Sequence, residues 1–342
     1  MRRRDFLSAA IGAAMLQSRV FGSVFVGNES SVATTFPPPA AASPNATARQ
    51  HGVQPMAIGL MIAPAYDRPE AAIARVKQLG MSNCFLSLDG YIGRFSASGA
   101  RQLSALLEKY DVTATSVEIV GPGRLVWDFL DGPATIGLVP PATRAARIDA
   151  LKQTSDFAKR MGIPRLQTHC GFLPENPRDP LYDPAVQAIR EVAIHCAGNG
   201  QDFLMETGQE TPTTMSRAIL DVNQPNLGVG LDTANLILYG KANPVDAVDM
   251  IGQHVRSVHA KDGMWPTDPM RLGKEVLIGT GRVDFPQVFS KLQKLGYRGA
   301  ITIERETSGP QQRKDVAHEK MYLERVLAQV RANPTHVQSN PT

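Results

Sequence analysis

From Met56 onward, short apolar runs of β character alternate with longer segments of helical period. The runs fall at 56–62, 83–88, 112–119, 165–168, 203–206, 228–232, 255–261 and 300–305. Helical stretches separate them, at 69–79, 98–110, 143–161, 185–199, 244–252 and 285–295. A last helix is expected over 313–331, with Val316, Leu323, Val326, Leu327 and Val330 on one face. Gly80, Gly162 and Gly296 each stand where a helix should stop before the next strand.

Regular alternation of this kind specifies repeated βα units and a parallel sheet. Eight units in roughly 280 residues match a (β/α)8 TIM barrel, whose usual size is about 250 residues. A doubly wound open sheet is the weaker alternative, because no Gly-x-Gly-x-x-Gly follows the first strand and Gly279-Thr280-Gly281 is an isolated turn. Two connections are long, 121–141 after the third strand and 262–283 after the seventh. At the active face of a barrel, long loops serve as walls or lids.

The first fifty residues have another character. Arg2, Arg3 and Arg4 precede Asp5-Phe6-Leu7 and a small-residue apolar stretch, Ser8 to Leu16, which reads as a cleavable twin-arginine export leader over 1–33. The apolar stretch is too short to span a bilayer, so no stable membrane span is expected. A Pro/Ala-rich disordered linker is expected over 34–54, the single barrel domain over 55–332 and a disordered tail over 333–342. A leader implies the twin-arginine export machinery as partner and a periplasmic location. Residues 1–50 hold five arginines against two acids, so three of the four formal positive charges belong to that segment. The remainder is close to neutral, and a nucleic-acid surface is not supported. Three cysteines, Cys84, Cys170 and Cys196, without Cys-x-x-Cys spacing, imply neither a disulfide framework nor a zinc knuckle. They read as small buried side chains.

The candidate chemistry lies at strand ends. Glu206, Asp232, His259 and Glu304 each directly follow a short apolar run in the C-terminal half. The C-terminal ends of parallel barrel strands open on one face, so these four converge. Three carboxylates and one imidazole make a site for one divalent metal ion, with Mn²⁺, Mg²⁺ or Co²⁺ favoured and Zn²⁺ admissible. An isolated Asp at such a position is as often a helix cap; the set of four carries the argument.

Met205-Glu206-Thr207, Leu231-Asp232-Thr233-Ala234-Asn235, His259-Ala260-Lys261-Asp262-Gly263, Gly279-Thr280-Gly281-Arg282-Val283-Asp284-Phe285 and Ile303-Glu304-Arg305-Glu306 resemble the sugar phosphate isomerase/epimerase family of xylose-isomerase-like barrels. The resemblance runs from about Met56 to Leu327. It implies a barrel whose single metal is held by Glu206, Asp232, His259 and Glu304, with Glu206 and Glu304 as the catalytic proton-transfer pair. Ketose epimerases of the family carry a histidine where this chain has Asn235, which puts the substrate in question. Few histidines also argue against the three-zinc endonuclease IV branch.

The expected activity is a divalent-metal-dependent sugar isomerase or epimerase that abstracts a proton α to a carbonyl through a metal-stabilised enediolate. Alternatives kept open are a lyase or dehydratase on keto-sugars, keto-glycosides or inosose, and a non-catalytic sugar-binding barrel. His169, Asn235, Lys261, Glu118 and Trp265 are further substrate-binding candidates, Trp265 by stacking on a sugar ring. Arg305 and Glu306 read as a rim ion pair, and His195 as structural. An exported protein meets few phosphorylated intermediates, so a free or oxidised sugar is expected. A homo-oligomer is left open.

Overall fold

The computed structural model describes residues 53–332. The leader at 1–33, nearly all of the expected linker at 34–54 and the tail at 333–342 lie outside the described residues. Eight strands close a parallel barrel: β1 (Ile58–Ile62), β2 (Asn83–Ser87), β3 (Thr113–Glu118), β4 (Arg165–Thr168), β5 (Asp202–Glu206), β6 (Leu227–Asp232), β7 (Val255–Ala260) and β10 (Ile301–Ile303). Each pairs with its neighbours in chain order, and β1 closes on β10. All eight expected strands are present, with ends shifted by up to two residues. No described helix is long and apolar enough to cross a membrane.

Helices α1 (Glu70–Gln78), α2 (Ala97–Lys109), α4 (Pro141–Arg160), α5 (Tyr182–Gly198), α6 (Pro212–Val222), α8 (Pro244–Ile251), α9 (Phe285–Lys294) and α10 (Gly309–Ala332) cover the barrel. Their starts are written locally. Ser96, Thr211, Asn243 and Asp284 accept backbone N–H bonds from the first turns of α2, α6, α8 and α9, caps worth about 1 kcal/mol each. Proline opens α4, α6 and α8, where its missing N–H costs nothing. The stop at Gly80 has a φ of 71°, which a side chain would resist. The expected apolar face of α10 is buried: Val316, Leu323, Val326, Leu327 and Val330 all join the core.

The two long connections are structured. The first contains the short helix α3 (Gly132–Thr135) and the second an antiparallel hairpin of β8 (Asp262–Met264) and β9 (Lys274–Val276). A further short helix, α7 (Asn235–Leu238), follows β6. Inside the barrel, Gly230 makes room for a polar plug. A Cβ there would lie 2.1 Å from Gln167 Oε1, which accepts a bond from the Ser257 hydroxyl at 2.5 Å. All three cysteines are free and buried, as expected.

Candidate metal centre

Glu206 and Asp232 are the last residues of β5 and β6, His259 is the penultimate residue of β7, and Glu304 follows β10. Strand register does the assembly, since Asp232 pairs with His259 and His259 in turn with Thr302, two residues before Glu304. One ligand atom from each of the four lies within 4.8 Å of the others. His259 Nδ1 stands 3.2 Å from Glu206 Oε1 and 3.0 Å from Glu304 Oε2.

Local hydrogen bonds aim these groups. Asp232 Oδ1 accepts the backbone N–H groups of Ala234 and Asn235, both at 2.8 Å, which leaves Oδ2 for the centre. The Thr207 hydroxyl accepts the Asp232 N–H and donates to the Asp232 carbonyl, locking β5 to β6 at the site. Phe85 meets the His259 ring edge-on at 4.5 Å.

The centre suits a cation. Glu206 Oε2, Asp232 Oδ2 and Glu304 Oε2 are buried without a hydrogen-bond partner, and the Glu304 oxygen approaches His259 Nδ1 without hydrogen-bond geometry. Three buried carboxylates with unpartnered oxygens are costly unless a positive charge is shared among them. A dication leaves a net charge near minus one. The donor set, mainly oxygen with one nitrogen, fits a hard or borderline ion.

Burial would push the Glu206 carboxyl up, but the His169 and His259 imidazoles hold it below its ordinary value. Burial raises the Asp232 carboxyl, and the Lys261 ammonium only partly offsets this. Glu118, the last residue of β3, is raised well above the carboxylate range by burial and by the charge of Glu206. One of its oxygens is unpartnered.

Around this centre the structure gathers most of the sequence candidates. Lys261 is buried and its ammonium donates to Asn235 Oδ1 and Glu304 Oε1, both at 3.4 Å, and to Glu306. His169 Nε2 is 3.3 Å from Glu206 Oε2, and its Nδ1 is 3.1 Å from Gln209 Oε1. Trp265 is exposed on the connection between β8 and β9 and makes no hydrogen bond or ring contact with the centre. Trp127, from the β3–β4 loop, packs edge-on against the His169 ring at 4.9 Å.

Arg305 and Glu306 do not pair with each other. Arg305 binds Glu275 at 2.7 Å and Asp315 at 2.9 Å, whereas Glu306 turns to Lys261. His195 bonds Asp156 at 2.8 Å on the outer helices, in keeping with a structural role. The Gly-x-Gly-x-Val stretch also has a structural use. Asp262 accepts four backbone N–H bonds, from Gly263, Gly279, Gly281 and Val283, at 2.8 to 3.1 Å. That carboxylate pins the loop after the hairpin to the end of β7.

Sequence reasoning missed Trp127, Gln209 and Glu210. The polar run Gly208-Gln209-Glu210 directly behind Glu206 was a usable signal for the last two. Burial pushes Glu210 up to about 8, and both its oxygens lack partners.

The chain belongs to the family of xylose isomerase-like TIM barrels, whose pattern matches residues 73–326. Among solved structures it resembles a xylose isomerase domain protein from Planctomyces limnophilus, with 31% identity over 81% of this chain and 99% of that one and a TM-score of 0.75. A D-tagatose 3-epimerase-like protein is 18% identical over 80% of this chain and 99% of its own, with a TM-score of 0.64. A xylose isomerase-like barrel from Mycobacterium smegmatis, solved in complex with magnesium, is 18% identical over 82% and 98%, with a TM-score of 0.62. Likeness at that level speaks for the fold. An uncharacterized protein of Methanocaldococcus jannaschii is 25% identical over 47% of this chain, a match that spans 57% of that relative's length.

Proposed function

We propose that this protein is a divalent-metal-dependent isomerase or epimerase acting on a sugar or keto-sugar. The observation that carries the reading is the convergence of Glu206, Asp232, His259 and Glu304 to within 4.8 Å at the mouth of the barrel, with carboxylate oxygens left unpartnered. The D-tagatose 3-epimerase-like barrel supports the activity, and the magnesium-bound barrel supports the ion.

A dication held by these four residues supplies Lewis-acid stabilisation of negative charge on a substrate oxygen. The chain's own groups then move the proton. Glu206 and Glu304 reach the site from β5 and from beyond β10, strands three places apart in the barrel. One removes the proton α to the carbonyl and the other returns it, each role worth about 10²- to 10⁴-fold. Return at the same carbon from the opposite face inverts that centre, and delivery to the neighbouring carbon moves the carbonyl. Lys261, between Asn235 and Glu304, is placed to donate to a substrate oxygen that gains charge. His169 is held against Glu206 through its other ring nitrogen's contact with Gln209.

The test is solvent deuterium exchange into a keto-sugar. Glu304→Gln should preserve the fold and abolish incorporation at the α carbon; undiminished exchange would refute the assignment. The family resemblance of residues 3–7 to a twin-arginine leader supports export to the periplasm. Replacing Arg3 and Arg4 by lysine should then retain the protein inside the cell.

A further inference from the structure

We infer that Arg305 and Glu275 are positioning residues for Glu304: they set its carboxylate against the Lys261 ammonium by tying the chain beyond β10 to the hairpin of β8 and β9. This rests on the reading of Glu304 as a metal ligand and proton-transfer group.

Glu304 stands just past the last paired residue of β10, and its own N–H donates to the Ala260 carbonyl at 3.1 Å. There the ladder stops, and side chains take over. Arg305 Nη1 donates to Glu275 Oε1 at 2.7 Å, while its Nε and Nη2 reach Asp315 Oδ2 at 3.0 and 2.9 Å. The same Glu275 oxygen accepts the Glu306 N–H at 3.3 Å, and the Arg305 carbonyl accepts a bond from Gln312 Nε2 at 2.8 Å. The two residues that follow Glu304 are thus gripped by β9 and by α10. The Arg305, Glu275 and Asp315 side chains are only 11, 12 and 10% exposed, so solvent screens these pairs little.

The hairpin also carries the other partner of Glu304. Its first strand begins at Asp262, the residue after Lys261, and Asp262 lies opposite Val276, the neighbour of Glu275. The Lys261 ammonium donates to Glu304 Oε1 at 3.4 Å and to Glu306. The contacts therefore close a circuit that runs from Lys261 through the hairpin to Glu275, on to Arg305 and Glu304, and back to Lys261. At 3.4 Å the Lys261–Glu304 contact is long, and the circuit holds its two ends at a set spacing. Groups that orient a ligating carboxylate are typically worth about 10- to 100-fold in metal affinity or activity. A lysine at 305 keeps the charge but lacks the planar fork that serves two acceptors at once.

The test titrates manganese by calorimetry into metal-free wild-type protein, Arg305→Lys and Glu275→Ala. Lys152→Ala, which removes an ion pair with Glu191 on the outer helices, is the control. Thermal midpoints are taken on each, and solvent deuterium exchange into D-fructose and D-tagatose is followed at saturating manganese. Arg305→Lys and Glu275→Ala should each weaken manganese binding about tenfold in the folded protein. Exchange should lose kcat with KM held within about twofold. Lys152→Ala should leave manganese affinity unchanged. Wild-type affinity in both Arg305→Lys and Glu275→Ala, or an equal loss in Lys152→Ala, would overturn the assignment. Wild-type protein that binds manganese yet exchanges neither ketose would overturn the epimerase reading for these sugars, and the affinities would still decide the positioning role.

Discussion

Glu206 and His259 come from strands two places apart in the barrel, and their side chains meet at 3.2 Å. The contact joins residues 53 positions apart in sequence. Neither group suits this neighbourhood alone, because burial disfavours charge on both. Together with Glu304 and Asp232 they bring one donor atom each to within 4.8 Å of one another, a volume that fits a single dication.

The Asp262 staple predicts a stability effect separable from chemistry. Asp262→Ala leaves four backbone N–H groups of the loop without their acceptor. A loss of about 2–4 kcal/mol is expected. Urea unfolding monitored by circular dichroism checks this, and a loss below about 0.5 kcal/mol would show the staple to be dispensable.

Glu210 predicts a pH dependence of stability. Its folded pKa is raised by burial to about 8, above the ordinary 4.5, so the folded state binds more protons than the unfolded state between those values. Its contribution to stability therefore falls as pH rises through that window, by at most about 1.4 kcal/mol per pH unit, and is flat below and above it. Glu210→Gln removes this titration. The variant should gain stability relative to wild type between pH 5 and pH 8, read as thermal midpoints across that range, and a constant difference would contradict the assignment.

Gly230 predicts a packing effect. A methyl group there meets the Gln167 amide, which is tied to Ser257 inside the barrel. Gly230→Ala should cost about 1–3 kcal/mol through overpacking. Calorimetric unfolding reads the change, and Gln167→Ala in the same chain should recover part of it.

The barrel was legible because its strands are short apolar runs and its helices carry stops such as Gly80 and caps such as Ser96 and Asp284. The clustering of Glu206, Asp232, His259 and Glu304 was legible for a related reason: a polar residue straight after an apolar run projects from the open end of a strand, and strand order brings such residues together. Trp127 was not legible. Its position against His169 depends on the path of a loop fixed by Asp128, which caps three successive N–H groups, and by α3. Arg305 was misread because its partners, Glu275 and Asp315, lie on a hairpin and a helix whose approach no local pattern encodes.

The central claim is that Glu206, Asp232, His259 and Glu304 hold one divalent ion. Elemental mass spectrometry on protein purified without chelator, beside Asp232→Asn, tests it directly. About one equivalent of manganese, magnesium, cobalt or zinc per chain is predicted for wild type, with most of it lost in the folded variant. Wild-type protein that retains no divalent ion even after dialysis against manganese would contradict the account.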